Sequence, residues 1–355
     1  MPNLLDSIQI GDLHLPNRVL MAPLTRLRGT VDHTPTPIIA EYYAQRASAG
    51  LIISEGTPVD PLGVGYAQVP GIWSREQTEA WKPVTAAVHN AGGRIFAQIW
   101  HVGRISDPSF LNGQLPVAPS AIAAAGHVSL IRPEKAFVTP RALEVHEIKN
   151  VVEAFRRGAQ NAQLAGFDGV EIHGANGYLL DQFLQDGTNH RTDEYGGPTE
   201  NRARLHLEVT DAAISVFGPG RVGMHLAPRS GVHGICDSNL PATFTYLATE
   251  LGKRKIAFIA ARESVGPDSL GPTLKQAFGG VYVANEALNQ QSGQKLLDEG
   301  KADAIAYGKL FIANPDLPIR FAQGAPLNTP VPETFYAHGA EGYTDYPALQ
   351  LVSQD

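Results

Sequence analysis

Three side chains within six residues, His173, Asn176 and Tyr178, follow directly on the apolar run Gly169 to Ile172. An imidazole and a carboxamide can both donate to one oxygen, and a phenol beside them can release a proton. One turn of chain could therefore polarise a carbonyl and protonate the carbon next to it. Charge that develops on such an oxygen is opposed by donors already in place, each worth roughly 10²–10³ in rate. A phenol with an ordinary pKa of about 10 is a weak acid, yet it is acid enough for a carbanion. The segment reads as a reaction site rather than a stretch of core.

Holding these groups requires a scaffold, and the rest of the chain is regular. Short apolar runs recur at Val19 to Ala22, Leu51 to Ser54, Arg94 to Trp100, Gly169 to Ile172, Val222 to Ala227, Ile256 to Ala260, Gly280 to Ala284 and Ala302 to Tyr307. Near-continuous apolarity suits parallel strands buried on both faces, and the stretches between them read as helices. Ser74 stands three residues before Gln77 as a capping-box signature, Thr199-Glu200 opens an amphipathic stretch, and Gly50, Gly166 and Gly252 lie near helix ends. Eight strand and helix units close a (β/α)₈ TIM barrel.

Ser7 to Leu15 alternates around Gly11-Asp12, which predicts an N-terminal β-hairpin within residues 1–18 that plugs the bottom of the barrel. Residues 103–143, rich in Pro, Gly and Ala, form a long loop insertion after the third strand, expected as a lid or wall on the face where barrel sites assemble. No repeat, linker or low-complexity tract interrupts the chain, so residues 1–355 are expected to form a single domain.

A barrel brings together the polar residues at the C-terminal ends of its strands. Those ends carry Thr25, Glu55-Gly56, Gln98 with Trp100 and His101, His173 with Asn176, His225, and Lys309. A bulky planar cofactor needs amide partners for its edge, a small residue for close approach and a cation for its phosphate, needs that Gln98, Gly56 and Lys309 fit. Gly218-Pro219-Gly220-Arg221-Val222-Gly223 matches the G-x-G-x-x-G pattern but follows a helix and opens a strand, the reverse of the dinucleotide fingerprint, so it reads as a turn.

Ala22-Pro23-Leu24-Thr25-Arg26, Ser54-Glu55-Gly56, Gln98-Ile99-Trp100-His101-Val102-Gly103-Arg104, the His173 segment, Arg191 to Gly197, and Ile312-Ala313-Asn314-Pro315-Asp316-Leu317 together resemble the Old Yellow Enzyme family. The resemblance runs from Asn3 to the Tyr343 to Pro347 tail and is closest to bacterial N-ethylmaleimide and nitrate-ester (glycerol trinitrate) reductases. It implies an FMN-dependent, NADPH- or NADH-linked ene-reductase that moves a hydride by a ping-pong route onto the β-carbon of an α,β-unsaturated carbonyl, maleimide or nitro compound. It also implies that His173 and Asn176 hold the activating oxygen and that Tyr178 protonates the α-carbon. Pro23, Thr25, Gly56, Gln98, His225, Gly308 and Lys309 would contact FMN, with Thr25 tuning its potential. Tyr66, Trp100 and Tyr343 would shape the substrate cavity.

Three departures stand out. Relatives usually carry arginine where the fifth strand here reads Val222-Gly223-Met224-His225-Leu226, so the charge beside flavin N1 and O2 is expected to become pH-dependent. Lys309 replaces another arginine but can still serve a phosphate as a point charge, and Ala284-Asn285-Glu286 stands where a glycine-rich phosphate loop is common. Two other functions compete. His101, His173 and His225 near three successive strand ends could serve a metal-dependent barrel hydrolase, and a barrel that has lost its chemistry could bind a flavin or ligand without turning it over. The Arg191 to Gly197 segment reads as loop architecture.

Composition limits the partners. There are 28 basic and 35 acidic residues, a formal net charge of −7, and no basic run that would mark a nucleic-acid face. A lone cysteine, Cys236, allows neither an internal disulfide nor a cysteine zinc cluster. No run approaches the ~18 apolar residues of a membrane span, and the N-terminus lacks a signal peptide's charged flank and apolar region. The expectation is a cytoplasmic enzyme, monomer or homodimer, that acts on small activated alkenes.

Overall fold

The computed structural model describes residues 1–349; the end of the expected 1–355 unit lies outside the described residues. Eight strands form the barrel: β1 Val19–Met21, β2 Ile52–Ile53, β3 Ile95–Trp100, β4 Gly169–His173, β5 Val222–Leu226, β6 Phe258–Arg262, β7 Val281–Asn285 and β8 Ala304–Tyr307. All pair in parallel, each with the next, and β8 returns to β1, so the sheet has no free edge. The strands are followed in turn by α1 Pro37–Gln45, α2 Arg75–Asn90, α3 Val145–Leu164, α4 Arg204–Phe217, α5 Leu240–Lys253, α6 Gly271–Phe278, α7 Gln290–Asp298 and α8 Leu317–Gln323. The fold is the (β/α)₈ TIM barrel that the eight apolar runs predict. The expected capping box starts α2, with the Ser74 hydroxyl accepting from the Gln77 N–H.

The continuous apolarity of the strands resolves by parity into two cores. Leu20 and Ala22, Leu51 and Ile53, Phe96, Phe258 and Ala260, Val283, and Ala304 and Ala306 fill the barrel interior. Their alternate neighbours, such as Met21, Ile52, Ile95, Met224, Ile259 and Ile305, pack outward with the helices. The hairpin Ile8–Ile10 and Leu13–Leu15 is antiparallel and joins the interior cluster. It closes the N-terminal end of the barrel, where the Asp12 N–H donates to the carbonyl of Gly220 just before β5. Pro219–Arg221 is a short turn that opens β5, as the rejected glycine pattern required.

Most strand ends fall within one residue of expectation, and the sixth departs furthest. The sixth was expected to end at Ala260 but runs two residues further, to Arg262. Parity is preserved, so Arg262 follows Ala260 onto the inward face. The insertion at 103–143 is a wall: Ile105, Leu111, Ala124, Val128 and Phe137 form one buried cluster with Trp100 and Tyr178. Two of its residues, Val117–Ala118, pair with Arg141–Ala142. Arg191 clamps it by donating to the carbonyls of Pro119 and Leu143 while pairing with Asp193.

Candidate active site

A cavity of about 470 Å³ opens at the C-terminal ends of the strands, in the size range of cofactor and ligand pockets. Pro23, Leu24 and Thr25 reach it from the end of β1, Tyr66 from the loop after β2, Asn176 and Tyr178 from the loop after β4, and His225 from β5 itself. Arg262 ends β6, Asn285 and Glu286 end β7, and Gly308 and Lys309 follow β8. A larger, more open groove of about 800 Å³ lies between Leu4 and α7. None of its lining side chains holds a buried polar atom without a partner.

The backbone just after β4 orients the donors. Asn176 and Gly177 both adopt left-handed φ, +57° and +73°, so the chain reverses within two residues; asparagine and glycine tolerate this region best. Buried Asp181 accepts the Gly177 N–H at 2.9 Å and secures the turn, and burial pushes its carboxyl up to about 7. His173 Nδ1 accepts the Ala175 N–H at 3.3 Å, which places the ring proton on Nε2. Burial, reinforced by the neighbouring His225, holds this imidazole well below its usual range, so it is a neutral donor. His173 Nε2 lies 3.5 Å from Asn176 Nδ2. Two donors at that spacing do not bond each other; both can donate to a single acceptor.

Tyr178 hydrogen-bonds Tyr66 through their hydroxyls at 2.8 Å. Its ring meets those of His173 and Trp100 edge-on at 4.8 and 5.1 Å. Burial, with Tyr66 close by, raises the phenol well above 10, so it stays protonated. A neutral donor pair and a protonated phenol thus converge in one apolar-walled corner. They can hold a carbonyl oxygen while negative charge builds on it and can supply a proton to an adjacent carbon.

Beneath that corner the polar layer is paired across strands. Gln98 Nε2 donates to Glu171 Oε1 at 2.8 Å and lies 3.2 Å from His225 Nδ1. The amide has a hydrogen for each, which leaves the His225 proton on Nε2. That nitrogen is buried with no partner among the described residues, on a side chain that lines the cavity. An orphaned donor at a cavity floor, an amide beside it and an exposed lysine at the rim are what a planar heterocycle with a phosphate tail requires. The residues therefore fit FMN.

Pro23, Thr25, His225, Gly308 and Lys309, expected at the cofactor, all line the cavity, and Gln98 reaches it through His225. Gly56 serves a different neighbour, since a Cβ there would stand 2.4 Å from the Trp100 ring. Trp100 stacks behind Tyr66 at 5.8 Å and shapes the wall from one layer back. Tyr343 does not reach the expected substrate cavity. It is fully buried and stacked on Tyr42 at 4.0 Å, with the Arg26 and Arg28 guanidinia over its ring, because the C-terminal segment tucks under the β1 loop. His101 turns aside to accept the Gly103 N–H, and among the described residues no three His, Cys, Asp or Glu side chains converge to hold a metal ion.

Sequence reading missed Glu171, Arg262, Glu286 and Tyr336. Glu171 was legible as a polar residue on the inward parity of β4, one position pair before His173. Arg262 was hidden by the early end assigned to its strand. Glu286, at φ +109°, and Ala287, at φ +53°, hold left-handed backbone without glycine, and the Glu286 carboxylate pairs with Arg262.

Comparisons with known proteins show the family and the fold. Residues 3–328 match the model of the NADH:flavin oxidoreductase / NADH oxidase family. A putative 12-oxophytodienoate reductase 2 of Oryza sativa subsp. japonica is 43% identical over 369 residues, spanning 99% of this chain and 96% of that protein. The 12-oxophytodienoate reductase 2 of Arabidopsis thaliana is 41% identical, spanning 99% and 96%. An old yellow enzyme homologue of Zymomonas mobilis superposes with a TM-score of 0.95 at 47% identity, covering 98% of this chain and 100% of that one. Morphinone reductase in complex with tetrahydroNAD does so at 0.95 and 48%, covering 99% and 98%. Among the described residues no helix is long and apolar enough to cross a membrane.

Proposed function

We infer the activity from one premise: the chain belongs to the NADH:flavin oxidoreductase / NADH oxidase family, the Old Yellow Enzyme family. It is an FMN-dependent oxidoreductase of activated alkenes. Our finer reading is a ping-pong ene-reductase in which NADPH or NADH and then an α,β-unsaturated carbonyl compound use the same cavity in turn. The observation that carries it is the 3.5 Å spacing of His173 Nε2 and Asn176 Nδ2, with the Tyr178 ring 4.8 Å from the imidazole.

The chemistry supplied by bound FMN is hydride transfer from a reduced nicotinamide to the alkene β-carbon. Pro23, Thr25, Gln98, His225, Gly308 and Lys309 would hold that group at the barrel mouth. His173 and Asn176 grip the substrate carbonyl oxygen and oppose the charge that forms there without reorganising. Tyr178 gives its proton to the α-carbon, and Tyr66, bonded to the same hydroxyl, keeps it aimed. The wall formed by residues 103–143 excludes water from that corner. A lone cysteine supports a reducing, cytoplasmic setting, and the whole chain acts as one barrel domain.

The test is an anaerobic absorbance spectrum of the FMN-loaded protein, taken before and after NADPH or NADH and again after 2-cyclohexenone. Bleaching of the flavin band by the nicotinamide and its return with the enone are the expected results. A band that bleaches but does not return with any activated alkene would overturn the reading.

A further inference from the structure

We propose that Arg262 is a positioning residue that holds the Asn176 carboxamide with its NH₂ toward the substrate oxygen. The proposal rests on the reading of His173 and Asn176 as the oxygen-binding pair. A carboxamide has two orientations related by a half turn, and only one presents donors to an oxyanion. With no substrate bound, the flipped orientation has an attraction of its own: the Asn176 oxygen would then accept the His173 Nε2 proton, and the two groups would satisfy each other across 3.5 Å. The site would close on itself, and a substrate would have to break that bond before using either group.

Arg262 removes that choice. Its Nη1 stands 3.1 Å from Asn176 Oδ1. A guanidinium donates and never accepts, so the atom facing it must be the amide oxygen. The NH₂ is thereby directed to the His173 side. The bond is charge-assisted and therefore stronger than a neutral one, so it outcompetes the histidine for the oxygen.

The arginine is itself held. Its Nε pairs with Glu286 at the end of β7, a residue in left-handed backbone at φ +109°. A non-glycine residue in such a conformation is strained and persists where surrounding structure over-determines it. The chain of contacts runs from β7 through β6 to the loop after β4. The guanidinium and carboxylate are each more than three-tenths exposed, 39% and 32%, so the pair contributes little to stability by itself; its effect is orientation.

The experiment uses the FMN-loaded protein, reduced anaerobically and then reoxidised in a stopped-flow instrument by 2-cyclohexenone or by dioxygen. Dioxygen needs no oxygen-binding pair, so the ratio of the two rates isolates the pair from any change in the flavin. Arg262→Met is expected to lower the ratio about 10-fold, Asn176→Ala to lower it at least as far, and the double variant to match Asn176→Ala alone. Arg262→Lys should recover part of the loss. Calorimetric titration of the oxidised protein with 2-cyclohexenone should show a matching rise in Kd for Arg262→Met; Arg262→Gln serves for both measurements if the Met variant loses flavin. An unchanged ratio in the arginine variants with a fallen ratio in Asn176→Ala overturns the proposal alone. Multiplying effects in the double variant also overturn it. An unchanged ratio in Asn176→Ala overturns the oxygen-binding pair itself.

Discussion

The two halves of the barrel mouth are built on different principles. From β1 to β4 the working groups are neutral: a buried imidazole, an amide and a phenol on a turn fixed by bonds close by in sequence and by apolar packing, with only the Asn176 and Tyr178 side chains reaching distant partners, Arg262 and Tyr66. From β5 to β8 they include an arginine, a lysine and strained backbone, and His225 and Arg262 are aimed by partners on other strands. His225 meets Gln98 from β3, Arg262 meets Glu286 from β7, and the β7 loop holds left-handed backbone without glycine. Neutral donors in a dry corner keep their state over a wide pH range and strengthen only when charge develops. The charged half is set by balances between strands, so single substitutions there should tune the enzyme rather than silence it.

The sharpest way to break this contrast is to remove a donor from the neutral half. His173→Ala or Asn176→Ala should slow flavin reoxidation by 2-cyclohexenone by roughly 10²–10³-fold while flavin content stays constant. Tyr178→Phe should cost about 10²-fold in the same stopped-flow measurement. If product formation in D₂O shows the same α-deuteration rate in Tyr178→Phe as in the parent, the proton comes from elsewhere.

The pH profile separates the halves next. His173 is depressed well below 6.5, so its protonated form is absent above that value. Tyr178 is raised well above 10, so its phenolate is absent below that value. Between the two the enone step should show no limb from either group, and a limb near pH 6.5 in a pre-steady-state profile that survives both Asp181→Asn and His225→Arg would break the neutral-pair account.

In the charged half, His225→Arg should raise the flavin potential by about 30 mV, which is ~1.4 kcal/mol for a two-electron couple, as read by dye equilibration. The smallest effect belongs to the strained loop. Ala287→Gly should raise stability by up to ~1 kcal/mol in denaturant unfolding, because alanine at φ +53° is held against its preference.

Legibility followed the same division. The neutral half was readable because the turn that carries its groups is local. His173, Asn176 and Tyr178 fall within one turn, the left-handed Asn-Gly step is written in the residue types, and the parity of β4 places the imidazole inward. The charged half was legible only in part. His225 and Lys309 stood out as departures from a family pattern, whereas Arg262 lay beyond a strand that seemed to end at Ala260, and nothing near it in the chain points to Asn176, 86 residues away. Tyr343 shows the opposite error, a motif-placed aromatic that packing on Tyr42 and two arginines draws away from the cavity.

The sequence by itself determined the number and order of the strands, the inward and outward parity that separates the two cores, and the short-range turn that carries the donors. These follow from periodicity and from interactions that span a few residues. Only the tertiary structure decided which charges meet across the mouth, which way the Asn176 amide faces, and that Gly56 yields its space to Trp100. Those outcomes depend on contacts between residues far apart in the chain, whose distance is set by barrel closure and strand register and by no local preference.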